Sequence, residues 1–118
     1  MSTQEERAAR FQALHVGEPF VIPNPWDAGS ARVLEGLGFQ ALATTSSGFA
    51  FTLGRRDGRA TLDEVAAHVE SLVSVTDLPV SVDLENGYGP DPDDAAVAVA
   101  RAAEGGAVPG ADGSRAVG

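Results

Sequence analysis

Along the chain, short unbroken apolar runs alternate with longer stretches in which apolar residues recur every three or four positions. The first pattern suits a strand buried on both faces, the second an amphipathic helix. Thr3 and Glu6 have the spacing of a capping box, and Ala9, Phe11 and Leu14 follow on one stripe, which predicts a short opening helix. The run PFVIPNP (19–25) reads as a buried strand whose exit proline forces into a loop. Asp27 then starts a helix to about Leu37, with Ala28, Ala31, Val33 and Leu34 as its apolar face and Gly38 as a left-handed stop. FQALATT (39–45) is the second predicted strand. Thr61 and Glu64 form another capping box ahead of Leu62, Val65, Ala66, Val69, Leu72 and Val73, a continuous helical stripe. LPVSVDLE (78–85) is the third strand, and Pro92 or Asp93 opens a helix through Ala103.

Strand, helix, strand, helix, strand, helix implies parallel strands joined by right-handed crossovers, hence an α/β sheet or barrel. A fourth strand is due after Gly105. The residues there, GGAVPGADGSRAVG, oppose it, because Pro109 lacks an N–H and the flanking glycines have no side chain to bury. The expected organisation is one α/β domain over 1–105 and a disordered or aberrant tail over 106–118.

Composition narrows the function. At 118 residues the chain has room for one domain with a core, and its 43% hydrophobic content suits a globular fold. Seventeen acidic against eight basic residues leave a net charge of −9, which repels nucleic acid and anionic membrane surfaces. There is no cysteine, so thiolate metal sites and cysteine nucleophiles are excluded for this chain. The N-terminus lacks the apolar core of a signal peptide, and nowhere does an apolar run reach membrane-spanning length, so a cytoplasmic protein is expected.

Chemistry concentrates in two places. In VSVDLENGYG (80–89), alternation puts Ser81, Asp83 and Glu85 on one face of the strand and Val80, Val82 and Leu84 on the other, with the two acids roughly 7 Å apart. If the apolar face meets helices, the acids face inward at the carboxyl end of the strand, where α/β proteins bind ligands. Their repulsion is relieved by a hard divalent cation with oxygen ligands, such as magnesium. Solvated strand-end acids without a metal are the plain alternative. An Asn86–Gly87 hairpin lacks a second strand, and an EF-hand fails because Tyr88 stands where glycine is required.

The second place is TTSSGFAFTLGRRDG (44–58), where Ser46, Ser47, Gly48 and Phe49 form a turn whose backbone amides can face a carboxylate or enolate oxygen. Neither serine has the glycine spacing of a nucleophile elbow. The connection from Gly48 to Ala60 has the length of a lid, and its tip, Arg55, Arg56 and Asp57, reads as solvated. His15 and His68 read as surface or helix-end residues, Trp26 as packing, and the acids of DPDD (91–94) as helix N-terminal charges.

PNPWDAGSARVLEGLGFQALATTSSG, GRRDG followed by TLDEV, and PVSVDLENGYG together resemble the isocitrate lyase and phosphoenolpyruvate mutase superfamily over roughly residues 10–105. The resemblance implies the N-terminal portion, about three βα units, of a TIM-type (β/α)8 barrel in a homo-oligomeric enzyme. It implies magnesium, with manganese as a substitute, and cleavage or formation of C–C or P–C bonds in small 2-oxo or hydroxy carboxylic acids through an enolpyruvate-type intermediate. Asp83 matches the aspartate nearest the metal, and Glu85 an acid that reaches it through water, at a position where aspartate is commoner. Ser46, Ser47, Gly48 and Phe49 match the segment that grips the substrate, with Ser47 and the lid residue Asp57 nearest the chemistry. The family's later acidic pair, its lysine- or cysteine-bearing loop and its substrate arginine have no match here. By itself the chain is therefore expected to be inactive, or to act as a non-catalytic piece associating through exposed strand edges.

Overall fold

A computed structural model describes residues 2–109. Its elements run α1 (Gln4–Leu14), α2 (Ala28–Gly36), β1 (Leu42–Ala43), α3 (Ser46–Thr52), α4 (Leu62–Val73), β2 (Val80–Ser81) and α5 (Pro92–Glu104). The helix starts follow the capping signals. Thr3 caps α1 and Thr61 caps α4, each in a reciprocal box with the glutamate three residues on, and Asp27 Oδ1 accepts from the Ser30 amide at 2.8 Å to start α2.

The strands pair in parallel, Leu42 opposite Val80 and Ala43 opposite Ser81, as the alternation of elements predicts. They are shorter than the apolar runs because side chains take over from the ladder. Thr44 N–H still donates to Ser81 O at 2.8 Å, but Asp83 N–H donates to the Thr44 hydroxyl at 2.8 Å instead of to a strand carbonyl.

Two segments depart from expectation. The strand predicted over 19–25 is an extended flank joined to the sheet by one backbone bond, from Ala43 N–H to Pro23 O at 3.1 Å, and by the Asn24 side chain, which donates to Ala43 O at 3.0 Å. Prolines 19, 23 and 25 have no N–H to donate, and Val21 is exposed rather than buried. At the other edge, the expected tail does not begin at 106. Gly106 turns the chain at φ 102°, Ala107 and Val108 are buried, and Val108 N–H donates to Val80 O at 2.9 Å. Pro109 does not prevent this, because the bond is made by the residue before it. The remainder of that segment, 110–118, lies outside the described residues.

The apolar face of the strands is used as the pattern requires. Leu42 and Val80 pack with Ala31 and Leu72, while Val82 and Leu84 pack with Val65, Val69 and Ala98 of the helices. Full burial of a leucine such as Leu84 contributes about 1.5–3 kcal/mol. Helix α1 closes the opposite end of the strands: Arg7, itself buried, donates to Val73 O and Leu78 O at 3.3 Å, and Arg10 donates to Asp77 O at 2.6 Å. The carboxyl end of the sheet is thereby left to the loops.

Candidate functional site

Thr44 joins the two loops at that end. It is buried at the close of β1, and its hydroxyl accepts the Asp83 amide, so the start of α3 and the first acid of the following turn are held side by side. The expected turn at Ser46–Phe49 is instead the first turn of a helix, capped by Thr45, whose Oγ1 accepts the Gly48 amide at 3.4 Å. As the first two residues of that helix, Ser46 and Ser47 carry amides with no carbonyl one turn back to meet. Phe49 differs. Its amide donates to Thr45 O at 3.0 Å and its buried ring stacks on His68 at 4.0 Å, so it supports the turn rather than facing a ligand.

Gly48 is required by Trp26. A Cβ there would stand 2.4 Å from the indole Nε1 and 2.6 Å from Thr45 Cγ2. Gly48→Ala is therefore expected to cost about 1–3 kcal/mol and to alter the fluorescence of Trp26, the sole tryptophan, in a urea unfolding experiment. An unchanged midpoint and emission would show that the indole does not hold this contact.

After β2 the chain leaves the extended conformation. Asp83 Oδ1 accepts the Glu85 amide at 2.9 Å, Leu84 O accepts the Gly87 amide at 2.9 Å, and Glu85, Gly87 and Tyr88 have φ of 54°, 91° and 63°. Left-handed backbone at two non-glycine residues is strain that only surrounding contacts sustain. Strand alternation therefore does not carry to Glu85, and a local turn sets its place. Both acids are half-buried. Beside them, burial first and then the Glu85 carboxylate push the Tyr88 phenol well above its ordinary range, with smaller contributions from the charges of Asp83 and Asp57. The lid reaches the same point, since a Cβ on Gly58 would lie 3.7 Å from Glu85 Oε1.

The tip is exposed at Arg55, Arg56 and Asp57, as expected, and one of its side chains is tied down. Arg55 Nη1 meets Glu64 Oε1 at 2.5 Å, and this hydrogen bond, with that from the Thr61 amide, holds the Glu64 carboxyl down to about 2. One end of the loop is thus tied to α4.

The donor set fits one kind of cation. Asp83 and Glu85 offer carboxylate oxygen, and among the described residues no three acid, histidine or cysteine side chains converge as a metal cage. Two carboxylates with room for water suit a hard ion that retains part of its hydration shell, as magnesium does, and not a thiolate- or imidazole-bound metal.

Sequence reasoning missed three residues. His68 is buried rather than at the surface, its ring stacked on Phe49 and its Nε2 without a hydrogen-bond partner. Its place beside Val65, Val69 and Leu72 on the apolar stripe of α4 was the available signal. Thr44 and Tyr88 carried none, because their roles depend on a neighbouring strand and on an unusual backbone.

The phosphoenolpyruvate phosphomutase family matches residues 11–111. The 2-methylisocitrate lyase of Halalkalibacterium halodurans is 38% identical over 89 residues, which are 74% of this chain and 30% of that protein. Among solved structures, a Burkholderia cenocepacia J2315 protein provisionally assigned as a lyase/mutase is 49% identical, with TM-score 0.87 over 91% of this chain and 39% of its own. A 2,3-dimethylmalate lyase, described as a PEP mutase/isocitrate lyase superfamily member, is 29% identical with TM-score 0.75, over 91% of this chain and 38% of its own. The chain thus spans about a third of that curated relative and about two fifths of these structures. Parallel strands with helical crossovers, acids at the carboxyl end of the sheet and this match over most of its length establish that the chain belongs to the phosphoenolpyruvate phosphomutase family of the PEP mutase/isocitrate lyase superfamily.

Proposed function

We propose that the chain forms the cation- and carboxylate-binding part of a TIM-type barrel enzyme, a magnesium-dependent lyase or phosphonomutase acting on a C–C or P–C bond of a small 2-oxo or hydroxy acid. The observation that carries this reading is the tie of Asp83 to the start of α3 through the Thr44 hydroxyl, with Glu85 fixed in the next turn by its amide bond to Asp83 Oδ1. Asp83 and Glu85 would hold the cation. When bound, it supplies Lewis-acid stabilisation of negative charge developing on a substrate oxygen.

The chain's own residues account for the other needs of such a reaction. Ser46 and Ser47 offer first-turn amides for the substrate carboxylate or for the oxyanion formed as the bond breaks, while Gly48 makes room for Trp26 behind them. Asp57 rides on the exposed loop that abuts Glu85, so closing this loop brings a carboxylate to the reacting centre and excludes water from an enolpyruvate-type intermediate. Each part binds, orients or shields a small acid, and an anionic substrate finds its charge met in a chain that is otherwise strongly acidic.

Calorimetric titration of the chain with magnesium, alone and with oxalate as a substrate-like chelator, tests the reading. Magnesium uptake strengthened by oxalate is the expected result, and Asp83→Asn should weaken it by about 100-fold or more, since losing a ligand exceeds losing a ligand's partner. Magnesium binding indifferent to both oxalate and Asp83→Asn would falsify it.

A further inference from the structure

Tyr88 carries a cost that the structure does not otherwise balance. Its hydroxyl is buried and meets no hydrogen-bond partner, which costs about 1–3 kcal/mol for a group of this kind. Its backbone, at φ 63°, adds about 1–2 kcal/mol that a glycine would not incur. The ring itself is well seated, packed against the cluster that holds Val82 and Leu84, so the turn directs the phenol inward on purpose-built packing. Glu85 belongs to the same left-handed turn, three residues before Tyr88, and its amide is held by Asp83 Oδ1 at 2.9 Å. Glu85 is half-buried and makes no hydrogen bond to the phenol, although its charge is the strongest that the phenol feels.

Resting on the reading of Asp83 and Glu85 as cation holders, we infer that Tyr88 is the positioning residue of this acid group, its hydroxyl donating to the Glu85 carboxylate and so setting which oxygen Glu85 turns toward the cation. A neutral O–H donor to a carboxylate makes a short, strong hydrogen bond and draws charge from one oxygen, which eases the repulsion between Glu85 and Asp83. The same bond satisfies the buried hydroxyl, so cation uptake and relief of the unmet donor occur together.

The test is a magnesium titration of the full chain, wild type and Tyr88→Phe, followed by calorimetry and by near-UV absorption, in which Tyr88 is the sole tyrosine. Magnesium should shift the tyrosine band of the wild type. Tyr88→Phe should bind magnesium about 3- to 10-fold more weakly, the worth of one hydrogen bond, with a thermal midpoint before metal addition that is unchanged or higher. Equal magnesium affinity in the two proteins, or a wild-type tyrosine band that does not respond as magnesium binds, overturns the inference and leaves the cation reading standing. A metal-free midpoint several degrees lower in Tyr88→Phe also overturns it, by assigning the hydroxyl to folding. Absence of any magnesium binding by the wild type overturns both.

Discussion

Gly87→Ala is expected to destabilise the chain by about 2–4 kcal/mol, whereas Gly36→Ala should leave it unchanged or more stable by up to about 1 kcal/mol. Gly87 has φ 91°, a conformation that a Cβ penalises by about 1–2 kcal/mol. It is also buried against α5: a Cβ would stand 2.8 Å from Ala95 Cβ and 3.0 Å from Ala95 Cα. The second contact is backbone, so relief requires the turn or the helix to shift, and overpacking of this kind adds about 1–3 kcal/mol. Gly36 is the contrast. It ends α2 with ordinary helical backbone and nothing within 4 Å of a built Cβ, so alanine only reduces the freedom of the unfolded chain. Urea midpoints of the two variants against the parent decide the matter, and a Gly87→Ala midpoint equal to the parent's would mean that α5 does not dictate the turn carrying Glu85 and Tyr88.

Lowering the pH from 6.5 to about 4 should remove about 1–3 kcal/mol of stability through His68 alone. Burial against Phe49 pulls this imidazole from its ordinary 6.5 down to about 4, and the charge of Asp27 opposes the shift only in part. The sign follows from which state takes the proton. Above 6.5 neither state holds it, and the folded chain keeps the full benefit of a neutral buried ring. Between 6.5 and about 4 the unfolded chain binds a proton that the folded chain resists, so stability falls as pH falls. Below about 4 both states are protonated and the loss levels off. A full shift of this size corresponds to about 3 kcal/mol, and residual solvent access to the ring reduces it. His68→Phe keeps an aromatic ring on Phe49 and removes the proton site. Across this pH window the unfolding free energy of the wild type should fall relative to that of His68→Phe by about 1–3 kcal/mol, and parallel curves would show that His68 titrates normally in the fold.

The helices were legible because their signals are local. Thr3 with Glu6, and Thr61 with Glu64, each place a side chain within reach of its own first turn, and no distant residue is needed to complete the cap. The apolar stripe of α4 likewise named its buried face before any partner was known, though His68 was left off it because an imidazole ordinarily favours water. The short helix α3 escaped notice. SSGFAFT is only seven residues long with a glycine in its first turn, a poor helix by itself, which Trp26 and His68, packed on Gly48 and Phe49, stabilise from outside.

The candidate site divides along the same line. Its acids were readable as residues, but the reason they lie together was not: alternation along a longer strand would place Glu85, whereas an Asp83 side-chain turn and two left-handed residues do so. Likewise, Pro109 argued against a fourth extended segment, yet Val108, the residue before it, donates its amide to Val80 O.

From sequence alone came what depends on neighbours a few positions apart: four of the five helices among the described residues, three of them with their N-caps, the parallel order of the strands, and the residue types able to carry oxygen ligands. Tertiary structure alone decided what depends on groups far apart in the chain, namely the Thr44 bridge to Asp83, the approach of the Gly58 loop to Glu85, and the burial of His68. Local periodicity encodes which face of an element is apolar, but a contact between loops is set by the packing of the elements beneath them, which no short window of residues contains.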